Sequence, residues 1–449
     1  MSTRSLTRTL AALGLLYAFG CGQWVTTSTD TLTRSQARKW VSMQAISCDS
    51  SGCLHAVWTE ATSTFLRNVM YARKPADSGW TRPEVIAESA NNHAALAVEP
   101  NTGHVHVTWT VPVGSTADVM YATNRTGTWV KTRLTDDSLS EWLPTIALED
   151  DKAHVAWIVQ TPDRAYHIAY ATNRSGAWQP QTLWGSQLGG FGSGASPWVA
   201  VEPSGIAHIT YRGGDYPAYR VHHAQNRIPG DTVWYYEVLG PTENDVDYVS
   251  AVAARDSGEL FVVVSGNDGW GFPWTTSYLH RPRNSTRWDQ YQLMTASASA
   301  CMRGFAMDHN FVHCTWERIN GNINTEEIYH CSNFNGYWFN SGIRTDGISS
   351  TGALVIDPRH CGHALILVGS SPDSSQVYCV NSAPLTGIEN PSRPLPGSRP
   401  RARLTRSLSG AGVYFPDGRQ AGAIPGRRLP AGLYFVRTGF GVAPFMLVR

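Results

Sequence analysis

Arg212, Arg303 and Arg318 lie near strand ends and are the residue type best suited to clamp a carboxylate, because the guanidinium fork can bind it bidentately. Acids surround them in the sequence: Asp136, Asp137, Glu141, Asp163, Asp215, Glu243, Asp245, Asp247, Asp268 and Glu317. Two carboxyls flanking a glycosidic bond can cleave it, and their separation sets the stereochemistry; sequence does not give that separation. Aromatic rings gather in the connecting loops: Trp142, Trp184, Trp198, Tyr216, Tyr219, Trp270, Phe272 and Trp274. Flat rings beside polar loops suit stacking on a sugar ring or a peptide. The competing reading is that such rings plug gaps between structural units. Residues 265–276 are the best binding loop, because Gly266, Gly269 and Gly271 free the backbone there and such a segment does not need two Trp for a core.

His55, His106, His154, His208 and His313 recur at near-equivalent positions of successive strands. That regularity predicts a repeated structural hydrogen bond rather than a catalytic or metal role. Seven cysteines besides Cys21 fit an oxidising compartment. Cys48 and Cys53 flank the turn Asp49-Ser50-Ser51-Gly52 and are the expected disulfide. Cys301, Cys314 and Cys331 fall on three neighbouring strands, where one pair could form, and Cys361 could join Cys379; reduced, buried thiols are the alternative. No Cys-x-x-Cys or His-x-x-x-His spacing occurs, so neither a metal nor another cofactor is expected.

The elements that position these residues are announced by a repeat. Val119-Met120-Tyr121-Ala122-Thr123-Asn124-Arg125-Thr126-Gly127-Thr128-Trp129 returns as Ile168-Ala169-Tyr170-Ala171-Thr172-Asn173-Arg174-Ser175-Gly176-Ala177-Trp178. Each copy reads strand, polar turn, strand. Upstream of each, an alternating segment ends at Trp58, Trp109, Trp157, Tyr211, Val264, Trp316 or Val368, at steps of 48 to 54 residues. Period-2 alternation marks half-buried strands, and units of this size must stack to bury their apolar faces. Seven copies of four strands predict an all-β, seven-bladed β-propeller over residues 23–381. The seventh copy lacks a fourth strand. Gln23-Trp24-Val25-Thr26-Thr27 reads like Thr128-Trp129-Val130-Lys131-Thr132, so the N-terminal strand is expected to complete the last blade and close the ring.

The net charge is +1, which gives no field toward nucleic acid or anionic membrane. Charged residues make up only 16%, beside 17 Trp and 18 Tyr, as in extracellular β-proteins. Residues 1–22 read as an export signal: Arg4 and Arg8 precede an apolar stretch from Leu10 to Phe19 that is too short to span a bilayer, so no transmembrane span is expected. Ala18-Phe19-Gly20 suits signal-peptidase cleavage; Ala18-Phe19-Gly20-Cys21 also resembles a lipobox, and both routes stay open. Residues 382–403 are a Pro-rich linker. Order resumes in 404–449, with Val413 to Arg419 and Leu429 to Arg437 as strands with Gly turns.

That tail resembles the type A C-terminal sorting domain of the type IX (Por) secretion system, a small β-sandwich-like domain. The match rests on Gly418-Arg419, on Leu429-Pro430-Ala431-Gly432-Leu433-Tyr434-Phe435-Val436-Arg437, and on the ending Leu447-Val448-Arg449. The resemblance implies that Gly418, Arg419, Gly432, Tyr434 and Arg449 serve sorting. It further implies the secretion machinery as a partner, and release or attachment at the cell surface.

The repeats resemble, more distantly, sialidase-like (Asp-box) propellers. Asn124 and Asn173 stand where that family's turn carries Asp, with the Gly displaced to 127 and 176. Asn226-Arg227-Ile228-Pro229 copies an Arg-Ile-Pro motif of the family but falls in this structural turn. A sialidase needs an arginine cluster with a tyrosine nucleophile and a glutamate; Arg212, Arg303 and Arg318 could supply the cluster, and no Tyr–Glu pair is identifiable. The expected function is therefore a secreted or cell-surface binding module for a glycan or protein ligand, acting as a monomer. The alternative is a sialidase-like glycoside hydrolase, or a polysaccharide lyase.

Overall fold

The computed structural model describes residues 24–385 apart from 34–36, 64–65, 92, 190–195, 216–218, 227, 230–231, 240–245, 256–257, 268–273, 297–298, 309–310, 321–324, 333–338, 345–348 and 372–373, together with 412–414, 432–438 and 441–447. Among these residues the chain is all-β, with no α-helix. No helix among them is long and apolar enough to cross a membrane. Two compact units divide the chain, Met1–Glu389 and Asn390–Arg449.

In the first unit, β1 (Thr26–Thr31) and β2 (Lys39–Trp40) precede a set formed by β3 (Ile46–Cys48), β4 (Leu54–Ala61), β5 (Arg67–Lys74) and β6 (Glu84–Ala90). The pattern repeats as β7 (Ala94–Val98), β8 (Val105–Val113), β9 (Thr116–Thr123) and β10 (Val130–Arg133), then as β11 (Ser140–Glu149), β12 (Lys152–Gln160), β13 (Tyr166–Thr172) and β14 (Gln181–Gly189). Next come β15 (Trp198–Val201), β16 (Ala207–Asp215), β17 (Arg220–Asn226) and β18 (Trp234–Leu239), and β19 (Val246–Ala254), β20 (Leu260–Asn267), β21 (Trp274–Arg281) and β22 (Asp289–Ala296). A further set is β23 (Ser299–Asp308), β24 (Phe311–Asn320), β25 (Thr325–Ser332) and β26 (Phe339–Arg344). Within each set the strands pair antiparallel in chain order.

The last set has only three strands of its own, β27 (Ser349–Ile356), β28 (Cys361–Ser371) and β29 (Ser374–Pro384). Its fourth is β1, antiparallel to β29, with Thr26 opposite Ser382 and Thr31 opposite Tyr378. The expected contribution of the N-terminal strand is therefore present, and β29 takes in the first three residues of the expected linker, 382–384. The first strands of the sets touch in succession: β3 meets β7, β7 meets β11, and so on through β15, β19 and β23 to β27, which meets β3 again.

Burial explains the order within a set. The second strands are buried on both faces because sheets stack on either side: the first six residues of β8 are buried, Val105, Val107 and Trp109 on one face and His106, Thr108 and Thr110 on the other. The outermost β10 is exposed or half-buried throughout. Adjacent sets are pinned by the repeated tryptophan. Trp129 meets Tyr71 edge-on at 5.2 Å, Trp178 meets Tyr121 at 4.8 Å and Trp234 meets Tyr170 at 5.0 Å, each in the preceding set. Such edge-to-face pairs contribute about 0.5–1.5 kcal/mol beyond area burial. The turn before each Trp needs left-handed backbone, supplied by Gly127 (φ 85) and Gly176 (φ 91). The turn asparagines act as expected of structural residues: Asn124, Asn173 and Asn226 accept from the backbone amides of Val105, Ala153 and Ala207 at 2.7–2.9 Å.

The recurring histidines each make the expected hydrogen bond between strands. His55, His106 and His154 bond through Nδ1 to the hydroxyls of Tyr71, Tyr121 and Tyr170 at 2.5–2.7 Å. In His208 and His313 the partner is a second histidine, His223 or His330, at 3.0 and 3.1 Å. Burial holds them neutral, pushing His154 down to about 3 and His208 and His313 to about 4.

The second unit contributes three antiparallel strands in the order β30 (Gly412–Tyr414), β31 (Gly432–Thr438), β32 (Gly441–Leu447). Gly432 and Tyr434 lie on β31, opposite Leu447 and Phe445. Gly418, Arg419 and Arg449 lie outside the described residues.

Two cysteine expectations are corrected. Cys48 and Cys53 are free thiols. Cys48 pairs with Leu54 across the β3–β4 turn, and alternation then turns Cys53 to the opposite face, so the two sulfurs do not meet. Cys379 sits opposite Leu365 while Cys361 sits opposite Pro384, too far along the ladder for a bond. Cys314 and Cys331 face each other directly in register and are free, buried thiols.

Candidate ligand-binding site

The ends of several first strands converge on one cavity of about 140 Å³. Its walls come from residues 41–44 before β3, from His93 and Ala95 at β7, from Leu143, Pro144 and Thr145 in β11, from Ser196, Pro197 and Trp198 at β15, and from Arg303 in β23. This is the end of the first strands at which the connection from the preceding set arrives.

Local irregularities aim the walls. In β11 the register breaks between Trp142 and Thr145, and Leu143 takes a left-handed φ of 53°, so Leu143 to Thr145 turn into the cavity. In β23 Met302 pairs with Trp316 and Gly304 with Thr315, which leaves Arg303 as the extra residue of a bulge. A ladder position would fix its side chain on a sheet face; the bulge re-aims it. Glu317, only 1% exposed, holds the Arg303 guanidinium in a close ion pair. The 41–44 segment is tied across sets: the Gln44 side chain accepts from the Ile146 amide at 3.0 Å, and Ser42 donates to the Ala94 carbonyl at 2.5 Å. Trp198 is 7% exposed and backed edge-on by Phe305 at 6.0 Å.

His93 completes the wall. Burial, helped by the Arg67 cation, pushes it down to about 4, so it is a neutral imidazole at physiological pH. Arg67 in turn lies 4.0 Å over the Trp40 ring, with Arg38 at 4.8 Å over the same ring. The residues lining the cavity thus include arginine, histidine, amide and hydroxyl groups, and among those described no carboxyl.

Of the sequence candidates, the structure brings Trp198 and Arg303 to this cavity. Arg212 is buried in β16 with its guanidinium 4.4 Å over Tyr219, and is not in the lining. Arg318 lies on β24 opposite Ala300, with only its backbone described. Trp142 turns to Tyr166, 6.0 Å away. Trp184 is not on a connecting loop: it lies on the outermost strand β14, 68% exposed. Trp274 opens β21 opposite Asn267, with its side chain undescribed, and Tyr216 and Trp270 lie outside the described residues. His93, Ser42 and Gln44 carry no motif; their only signal is their place just ahead of a first strand.

Among the acids, Glu141 is the most perturbed. Burial, with Asp137 and Asp118 nearby, pushes it up to about 8, so it is protonated at neutral pH. It bonds Thr135 at 3.3 Å and does not line the cavity. Asp163 caps its own turn through Thr161 at 2.6 Å. Glu243, Asp245 and Asp268 lie outside the described residues, and of Asp215 and Asp247 only the backbone is described.

No family model and no curated protein matches the chain. Solved structures do. The polysaccharide lyase Uly1 is 10% identical, with a TM-score of 0.52 over 80% of this chain and 99% of that one. A protein of unknown function from Dyadobacter fermentans is 9% identical, with a TM-score of 0.49 over 80% of this chain and 98% of that one. The Hadza microbial sialidase Hz136 is 13% identical, with a TM-score of 0.45 over 77% of this chain and 65% of that one. At such identities the likeness is one of fold. The chain is an all-β protein of β-propeller-like fold, and its structural neighbours include glycan-acting enzymes.

Proposed function

We propose that the first unit is a seven-bladed β-propeller that binds an acidic glycan at the cavity between its first strands. The observation that carries this reading is the lining itself: Arg303, aimed by a bulge, stands with Trp198 and polar groups in a wall without a carboxyl among the described residues. A guanidinium favours a sugar carboxylate, an indole favours the ring, and hydrolysis by a carboxyl pair lacks its reagents there. We further propose that the protein is exported, with residues 1–22 as signal and 404–449 as a type IX sorting domain, and that it acts at the cell surface or in the medium.

A second reading is favoured by one observation. His93 is held neutral in the same cavity as Arg303. A neutral imidazole can take a proton next to a carboxylate that an arginine neutralises, which is what lyase cleavage of a uronate chain requires. The fold likeness to a polysaccharide lyase is compatible with it.

An array of neutral, uronate-containing and sialylated glycans separates these readings. Retention of acidic glycans without new unsaturated products supports binding. Ultraviolet absorbance from unsaturated uronate, lost in His93→Ala, would make the protein a lyase.

A further inference from the structure

We propose that Asp49, Cys53 and His55 form a binding site for a zinc-class divalent cation in the β3–β4 turn. Their donor atoms, a carboxylate oxygen, a thiol sulfur and an imidazole nitrogen, all lie within 4.8 Å of one another. A closed tetrahedral zinc shell has donors about 3.5 Å apart, so small side-chain rotations suffice. The donor set of thiolate, imidazole and carboxylate is one that zinc accepts.

Local structure converges these groups. Cys53 and His55 are two apart across the start of β4 and so share a face. Asp49 is fixed through Oδ1, which accepts from the Ser51 amide and hydroxyl and the Cys53 amide at 2.6–3.0 Å. Its Oδ2 is thereby directed at His55 Nε2, 3.6 Å away and beyond hydrogen-bonding distance. His55 is 2% exposed, and its Nε2 has no hydrogen-bond partner. Tyr71 holds the other nitrogen at 2.7 Å, the orienting contact that metal-bound histidines use.

Comparison with the other sets shows what is missing here. Three of the equivalent acids have an arginine: Glu99 meets Arg125 at 3.0 Å, Glu149 meets Arg174 at 2.7 Å and Asp357 meets Arg359 at 3.1 Å, whereas Glu202, like Asp49, meets a histidine, His208, at 2.9 Å. Pro75 occupies the position equivalent to Arg125, and among the described residues the ion pairs of Asp49 are with His55 alone. A bound cation would take the arginine's electrostatic place, and Cys53 supplies a thiol that the Glu99 and Glu149 sets lack; Cys361 holds the matching position beside Asp357, where Arg359 is present.

The test is metal binding by the full chain under reducing conditions. One zinc per chain should survive dialysis, and cobalt(II) should produce a sulfur-to-cobalt charge-transfer band. Cys53→Ser should abolish the band and weaken binding at least tenfold, while Cys314→Ser should leave both unchanged. If Cys53→Ser fails to fold, alkylation of the unaltered chain replaces it: zinc should slow modification of Cys53 at least tenfold. No retained zinc, a band that persists in Cys53→Ser, unprotected Cys53, or a Cys48–Cys53 disulfide in the isolated protein would overturn the proposal.

Discussion

Trp24 stands against His330 with ring centroids 5.4 Å apart and planes inclined at 51°. This is the place that Trp129 takes against Tyr71 and Trp178 against Tyr121: a fourth-strand tryptophan covering the third strand of the preceding set. Trp24 is 5% exposed, and its backbone amide donates to Ser341 at 2.7 Å, so the N-terminal strand is held by two sets at once. Trp24→Ala should cost about 3–5 kcal/mol, as for other buried tryptophans. Denaturant unfolding measures this; a loss under 1 kcal/mol would mean that β1 does not close the sheet in solution.

The turn asparagines should behave as structural acceptors. Asn173→Ala leaves the Ala153 amide without its 2.9 Å partner and should cost about 1–3 kcal/mol, with ligand binding unchanged. Thermal unfolding and a binding assay on the same sample check both halves.

The pH dependence of stability follows from two opposed sets of groups. His93, His208 and His313 are depressed to about 4. The unfolded chain therefore binds more protons between about 4 and the usual 6.5, and their contribution, complete above 6.5, is lost as pH falls through that window. Glu141 is raised to about 8, so its contribution is complete below the usual 4.5 and is lost as pH rises from there to 8. Stability should peak between these limits. Glu141→Gln should remove the decline between about 4.5 and 8, which flattens the profile above 6.5 and steepens the histidine rise below it, as read by the melting temperature against pH; an unchanged slope above 6.5 would contradict the buried, protonated Glu141.

Export is tested by deletion. Removing residues 404–449 should trap the protein in the periplasm, as fractionation would show, whereas unchanged surface display or release would refute a sorting role for the tail.

Strand order was legible because it is written in a repeat: Tyr-Ala-Thr-Asn with Gly and Trp gives the outer hairpin, and Trp24 could be matched to Trp129 by eye. The repeated hydrogen bonding of His55, His106 and His154 was legible for the same reason. The cavity was not. It is assembled from residues before β3, β7 and β15 with two bulges, and a bulge at Arg303 is a matter of register that no local pattern shows. Trp184 misled because a tryptophan beside glycines reads as a loop residue, while the strand β14 continues through it. Cys48 and Cys53 misled because sequence proximity across a turn hides the alternation of faces.

The most direct test is calorimetric titration of the full chain with a uronate oligosaccharide, compared with Arg303→Gln/Glu317→Gln, a pair of changes that leaves no unpaired buried charge. Saturable binding by the unaltered chain, weakened at least tenfold in the paired variant, is the predicted result. Equal affinity in the two proteins, or no binding of any acidic glycan, would contradict a glycan site built on Arg303.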